Sequence, residues 1–156
     1  MIIISHRGNL NGIDPERENN PYFIDDCISK GFDVEIDLRI KENKLFLGHD
    51  FAQYEVDIDW LLERKKNLWI HVKEYGALNL IMPYRNELTF FCHEKDKFTL
   101  LSNGKIWSHD LENEMNDDCV VPLLSLKEVL EYEHKHFYAV CTDYVYESEN
   151  KFKLNK

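Results

Sequence analysis

Short apolar runs, each long enough for a single strand, recur along this chain and alternate with stretches of helical periodicity. The runs are Ile2–Ser5, Asp33–Ile40, Lys44–Leu47, Leu68–Val72, Thr89–Cys92, Lys105–Ser108, Cys119–Leu123 and Tyr138–Thr142. The helical stretches are Tyr22–Lys30, Ile58–Lys66, Ala77–Tyr84 and Leu126–His134. Such alternation predicts an α/β chain with a largely parallel sheet, because parallel neighbours need a crossover between them. Local signals agree. Pro21 suits a first helical turn, Gly31 suits its stop, and Ser125 with Glu128 reads as a capping box. Lys41-Glu42-Asn43-Lys44 reads as a tight turn that folds Lys44–Leu47 back as a hairpin arm.

At 156 residues the chain is expected to form one domain over residues 1–156, with the end from about residue 148 prone to fray. A formal net charge of -10 argues against nucleic acid and against an anionic membrane surface as partners. It leaves room for a small phosphorylated substrate, since a bound cation reverses the field inside a site. No apolar run reaches the length of a membrane span, and no signal-peptide core follows Met1. Cys27, Cys92, Cys119 and Cys141 are scattered through apolar surroundings without a CxxC pair. Reduced, buried thiols in a cytoplasmic protein are the expectation.

Strand parity locates the chemistry. Residues two apart on a strand share a face, so Glu35 and Asp37 point together while Val34, Ile36 and Leu38 point the other way. If the apolar set packs on helices, the carboxylates face an interior or a cleft. There they repel unless a cation neutralises them, and hard oxygen donors favour Mg²⁺ or Ca²⁺. The alternative is an exposed acidic face. Leu68–Val72 repeats the pattern, placing His71 with Lys73 opposite Leu68, Ile70 and Val72; a half-exposed edge strand is the competing reading.

His6 follows Ile2-Ile3-Ile4-Ser5, at the carboxyl end of a buried strand, where α/β sheets build their sites. Arg7 offers a planar fork for phosphate, and Gly8 allows close backbone approach. His49 stands in Gly48-His49-Asp50, where Asp50 is placed to fix its tautomer. Trp107, Tyr144 and Tyr146 are core residues or the lining of a substrate mouth, with core packing favoured for most.

Together, His6-Arg7-Gly8, Glu18-Asn19, Gly31 to Asp37, Gly48-His49-Asp50 and Ile70-His71-Val72-Lys73 resemble the glycerophosphodiester phosphodiesterase family. That family lies within the phospholipase-C-like phosphodiesterase superfamily. Weaker echoes follow at Ile106-Trp107-Ser108 and Cys141-Thr142-Asp143-Tyr144. The resemblance implies His6 and His49 as an acid/base pair and Arg7, Glu18 and Lys73 as the phosphate-binding group. It implies Glu35 and Asp37 as ligands of one divalent cation. The expected ion is Mg²⁺ or Ca²⁺; His71 stands as the third ligand where the family carries a carboxylate, which leaves Mn²⁺ or Zn²⁺ as alternatives.

The implied fold is a (β/α)₈ barrel, which normally needs about 200–250 residues. The expectation for this chain is therefore a shortened or incomplete TIM-type (β/α) barrel with some helices reduced to loops. The implied function is metal-dependent hydrolysis of a small glycerophosphodiester-like substrate. Two other functions stay open: a phospholipase-C-like or glycerophosphate-polymer hydrolase, and a non-catalytic module binding a phosphorylated ligand or metal in the same pocket. No oligomeric state is implied.

Overall fold

A computed structural model describes residues 1–111, 115–133 and 136–153. Its ten strands are β1 (Ile2–His6), β2 (Asp33–Lys41), β3 (Lys44–Leu47), β4 (Tyr54–Val56), β5 (Leu68–Val72), β6 (Thr89–Phe91), β7 (Phe98–Leu100), β8 (Ile106–Ser108), β9 (Cys119–Pro122) and β10 (Ala139–Thr142). The helices are α1 (Pro21–Ser29), α2 (Ile58–Glu63), α3 (Tyr75–Ile81), α4 (Leu126–Glu131) and α5 (Val145–Phe152), with a 3-10 turn at Met82–Tyr84.

All ten strands belong to one sheet. Seven run parallel in the order β6-β5-β2-β1-β10-β9-β8. β3, β4 and β7 are antiparallel additions. Strand β2 is shared along its length. Its Glu35 and Asp37 carbonyls accept from Arg7 and Gly48 on one side, while Leu38 accepts from Lys73 on the other. Since successive carbonyls point to opposite sides of a strand, β1 and β3 flank one edge and β5 the other.

The sheet is strongly curled. Phe91 on β6 and Trp107 on β8 stand at opposite ends of the parallel series, yet their rings stack with centroids 4.5 Å apart. Both belong to a concave-face cluster with Ile4, Trp69, Leu101, Val120, Ala139 and Cys141. Among the described residues no ladder joins β6 to β8. The gap is spanned by Ser102, whose N–H donates to the Phe90 carbonyl and whose hydroxyl accepts from the Phe90 N–H.

The expected TIM-type (β/α) barrel does not form. The sheet is an open, curled half-barrel, rich in strands and carrying only short helices. Among the described residues no helix separates β6, β7, β8 and β9. The cause is length: a helical crossover needs about 30 residues with its strands, and the chain from Phe91 to Cys119 spends its residues on a hairpin instead.

On the convex face, Val34, Ile36, Leu38, Leu68, Ile70 and Val72 pack with Ile24 and Cys27 of α1, Leu61 of α2 and Ala77 and Ile81 of α3. Each large aliphatic side chain buried there contributes about 1.5–3 kcal/mol. The apolar sets of β2 and β5 thus face helices, as parity predicts. β5 pairs on both sides, so it is no edge strand. The local signals also hold. Asn20 caps α1 ahead of Pro21, the Ser125–Glu128 capping box is complete, and Glu42 and Asn43 turn the β2–β3 hairpin at φ of 51° and 60°.

Other expectations are corrected. Strands β4 and β7 and helix α5 add to the elements read from sequence. Residues 148–152 lie within α5, while His134 and residues 154–156 lie outside the described residues. Cys27, Cys119 and Cys141 are buried, but Cys92 is exposed. It follows β6 on the outward parity, and no helix after β6 covers it. Among the described residues no helix is long and apolar enough to cross a membrane.

Candidate active site and metal centre

The strands β1, β2, β5, β6, β8 and β9 border a cavity of about 390 Å³ lined by His6, Arg7, Glu35, His49, His71 and Lys73, among others. His6 ends β1. Its Nδ1 lies 2.8 Å from Oδ1 of Asp143, the residue after β10, and its Nε2 lies 3.9 Å from Oε2 of Glu35. Asp143 is buried and also accepts from Asn9 Nδ2 at 2.7 Å. An acceptor at Nδ1 fixes the proton there and leaves Nε2 to face the cavity. Burial pulls the His6 pKa down, but the Asp143 hydrogen bond and the Glu35 charge outweigh it, so the net shift is upward.

Arg7 adopts a left-handed φ of 54° just past the strand. Its Nη1 donates to Glu18 Oε2 at 3.2 Å, and its Nε lies 2.9 Å from Asp37 Oδ2 as an ion pair rather than an aligned hydrogen bond. Glu18 is held in turn by Asn9 Nδ2 at 3.0 Å. Asn19 supports Asp37 from both directions: its Oδ1 accepts the Asp37 N–H, and its Nδ2 donates to Oδ2. Glu18 therefore orients Arg7, and Asn19 orients Asp37.

Glu35, Asp37 and His71 each offer one donor atom within 4.8 Å of the others. Three features fit this set to a divalent cation. Glu35 Oε2 and Asp37 Oδ1 are enclosed without any hydrogen-bond partner. His71 Nε2 donates to the His93 carbonyl at 2.9 Å, which turns Nδ1 toward Asp37 Oδ1 at 3.2 Å and Glu35 Oε1 at 3.7 Å. The carboxylates also divide their charge unequally. Burial and then the neighbouring Asp37 charge push Glu35 upward, whereas His71 and Arg7 overcome burial to hold Asp37 well below the usual carboxylate range. A cation among these atoms would relieve each of these tensions.

No family model, no curated protein and no solved structure matches this chain. The roles of these residues therefore rest on geometry and on the residue-level resemblance alone.

Lys73 Nζ lies 3.6 Å from Asp37 Oδ1. His49 stands at the rim, 40% exposed, with Nδ1 2.8 Å from Asp50 Oδ1. The turn that carries it is fixed by Arg39, which donates to the Gly48 and His49 carbonyls and pairs with Glu74 at 2.7 Å. Gly48 has φ of 148°, and an added Cβ would lie 2.1 Å from the Phe51 carbonyl oxygen, so only glycine fits.

The eight residues singled out in the sequence thus gather at one cavity: His6, Arg7, Glu35, His49, His71 and Lys73 line it, while Asp37 and Glu18 lie behind that wall, each in contact with Arg7. Sequence reasoning missed Asn9, Arg39, His93, His109 and Asp143 as site residues. Arg39 was within reach, being one parity step beyond Glu35 and Asp37. His93 and His109 follow Phe91 and Trp107 by two residues, so the same parity test points them inward. Their rings stack with centroids 4.2 Å apart. Burial, then the other histidines, lowers the pKa of His109 to about 4. Nothing local in the sequence ties Asp143 to His6.

Proposed function

We propose that this chain is a metal-dependent phosphodiesterase acting on a small glycerophosphodiester-like molecule. The observation that carries the reading is the convergence of two unsatisfied buried carboxylate oxygens and an imidazole nitrogen beside the His6–Asp143 pair. The resemblance of the same residues to the glycerophosphodiester phosphodiesterase family supports it. Glu35, Asp37 and His71 would hold the ion, which when bound stabilises negative charge on phosphoryl oxygens. The nitrogen donor favours Mn²⁺ or Zn²⁺ over Mg²⁺ or Ca²⁺ in this set.

Arg7 and Lys73 each have a cationic group at the cavity wall beside Asp37, placed to turn toward a bound phosphoryl group. His6, with its proton favoured by Asp143, is the general acid that protonates the leaving alkoxide. His49, held through Nδ1 by Asp50, leaves Nε2 to accept a proton from the attacking hydroxyl or water. Each transfer is worth about 10²–10⁴-fold.

The test is hydrolysis of glycerophosphodiesters and of bis(p-nitrophenyl) phosphate. Turnover is expected with added Mn²⁺, lost on chelation, and reduced by about 10²–10⁴-fold with the glycerophosphodiester in His6→Ala. A protein that stays inert with Mg²⁺, Ca²⁺, Mn²⁺ and Zn²⁺ yet binds glycerol phosphate would be the non-catalytic module instead.

A further inference from the structure

The cavity has two unlike walls. The side built from β1, β2 and β5 carries the ionisable groups His6, Arg7, Glu35, Lys73 and Arg39, and Glu94 borders the cavity beyond β6. The side built from β6 and β8 carries flat rings. Phe91 stacks on Trp107 with centroids 4.5 Å apart and planes 21° apart. Above them, His93 stacks on His109 at 4.2 Å and 19°. All four line the cavity.

Two details make the upper pair a prepared surface. Trp107 Nε1 donates to His109 Nε2 at 3.2 Å, which requires a lone pair there and therefore a neutral imidazole in a fixed orientation. His93 is anchored through its own carbonyl, which accepts from His71, and its Nδ1 is enclosed without a hydrogen-bond partner. His109 remains exposed, so its ring is not sealed in a core.

We infer that the second organic substituent of the phosphodiester, the one other than glycerol, carries a flat, uncharged heteroaromatic ring, a nucleobase by class, stacked on the His93–His109 wall. The inference rests on the phosphoester reading of the opposite wall. A glycerol group needs hydrogen-bond partners for its hydroxyls, and this wall presents mainly ring faces. A neutral π-surface suits a base, which stacks on any aromatic face. The volume of about 390 Å³ lies within the range of small-molecule sites.

The experiment compares adenosine 5′-monophosphate with ribose 5-phosphate, which keeps sugar and phosphate but lacks the base. Binding of each to the Mn²⁺-loaded protein is measured calorimetrically. The nucleotide is expected to bind roughly 10-fold tighter or better. That preference should vanish in His109→Ala and survive in His109→Phe, which restores a flat face and serves as the folded control. Equal affinities for the two ligands overturn the inference while leaving the phosphoester reading intact. A preference undiminished in His109→Ala overturns it as well. No metal-dependent binding of either monophosphate overturns both.

Discussion

At the scale of single residues, the centre is held together by opposed electrostatic demands. Burial works against a charge on His6, yet Asp143 and Glu35 raise its pKa overall. Its contribution to stability is therefore present below about pH 6.5 and is lost as pH rises through the raised folded value. Asp143→Asn removes the principal support. We expect the NMR titration midpoint of His6 to fall and the basic limb of the pH–rate profile to move to lower pH. An unchanged midpoint would remove Asp143 from this role. Glu35 has the opposite linkage for a carboxylate: its folded pKa is raised, so metal-free stability declines as pH climbs from its ordinary value through the folded one. Glu35→Gln should raise the metal-free Tm at neutral pH and abolish the Tm increase that a divalent cation gives the wild type. A metal response of wild-type size in that variant would exclude Glu35 as a ligand.

At the scale of elements, β2 organises the site because one strand serves three neighbours. Its first half pairs with β1 and β5, and its second half with β3, so Glu35, Asp37 and Arg39 project in a row along the cavity. The turn after β3 then delivers His49, and Gly48 makes that turn possible. Gly48→Ala is expected to cost about 1–3 kcal/mol and to lower kcat by displacing His49. Ser125→Ala, at the capping box of α4, should cost about 1 kcal/mol and leave turnover unchanged. Equal effects of both variants on turnover would mean that Gly48 acts through global stability alone.

At the scale of the molecule, the curl of the sheet matters more than its closure. Central strands β1, β2 and β10 are paired on both sides, while β7 pairs on one and β6 approaches β8 through rings and Ser102 rather than a ladder. Native-state hydrogen exchange should find β1, β2 and β10 most protected and β7 least. Trp107→Ala removes the ring that bridges the two ends, at about 3–5 kcal/mol. It should raise exchange in β6 and β8 before it does so in β1. Uniform acceleration across all strands would mean the gap is not a separate weak point.

Much of the site was legible because strand parity is local. A period of two residues decides that Glu35 shares a face with Asp37, and His71 with Lys73, whatever the strands later pair with. Which face turns inward stayed conditional in the sequence, and the structure decided it by packing Val34, Ile36 and Leu38 on helices. Three things lay beyond the sequence. Asp143 reaches His6 across 137 residues of sequence, a proximity set by the β1–β10 pairing. The absence of helices among the described residues from β6 to β9 depended on hairpin pairing that short apolar runs do not specify. The ring wall formed because the sheet curls far enough to bring Phe91 against Trp107. Pairing order and curvature come from long-range ladders and packing, and no short window of residues contains them.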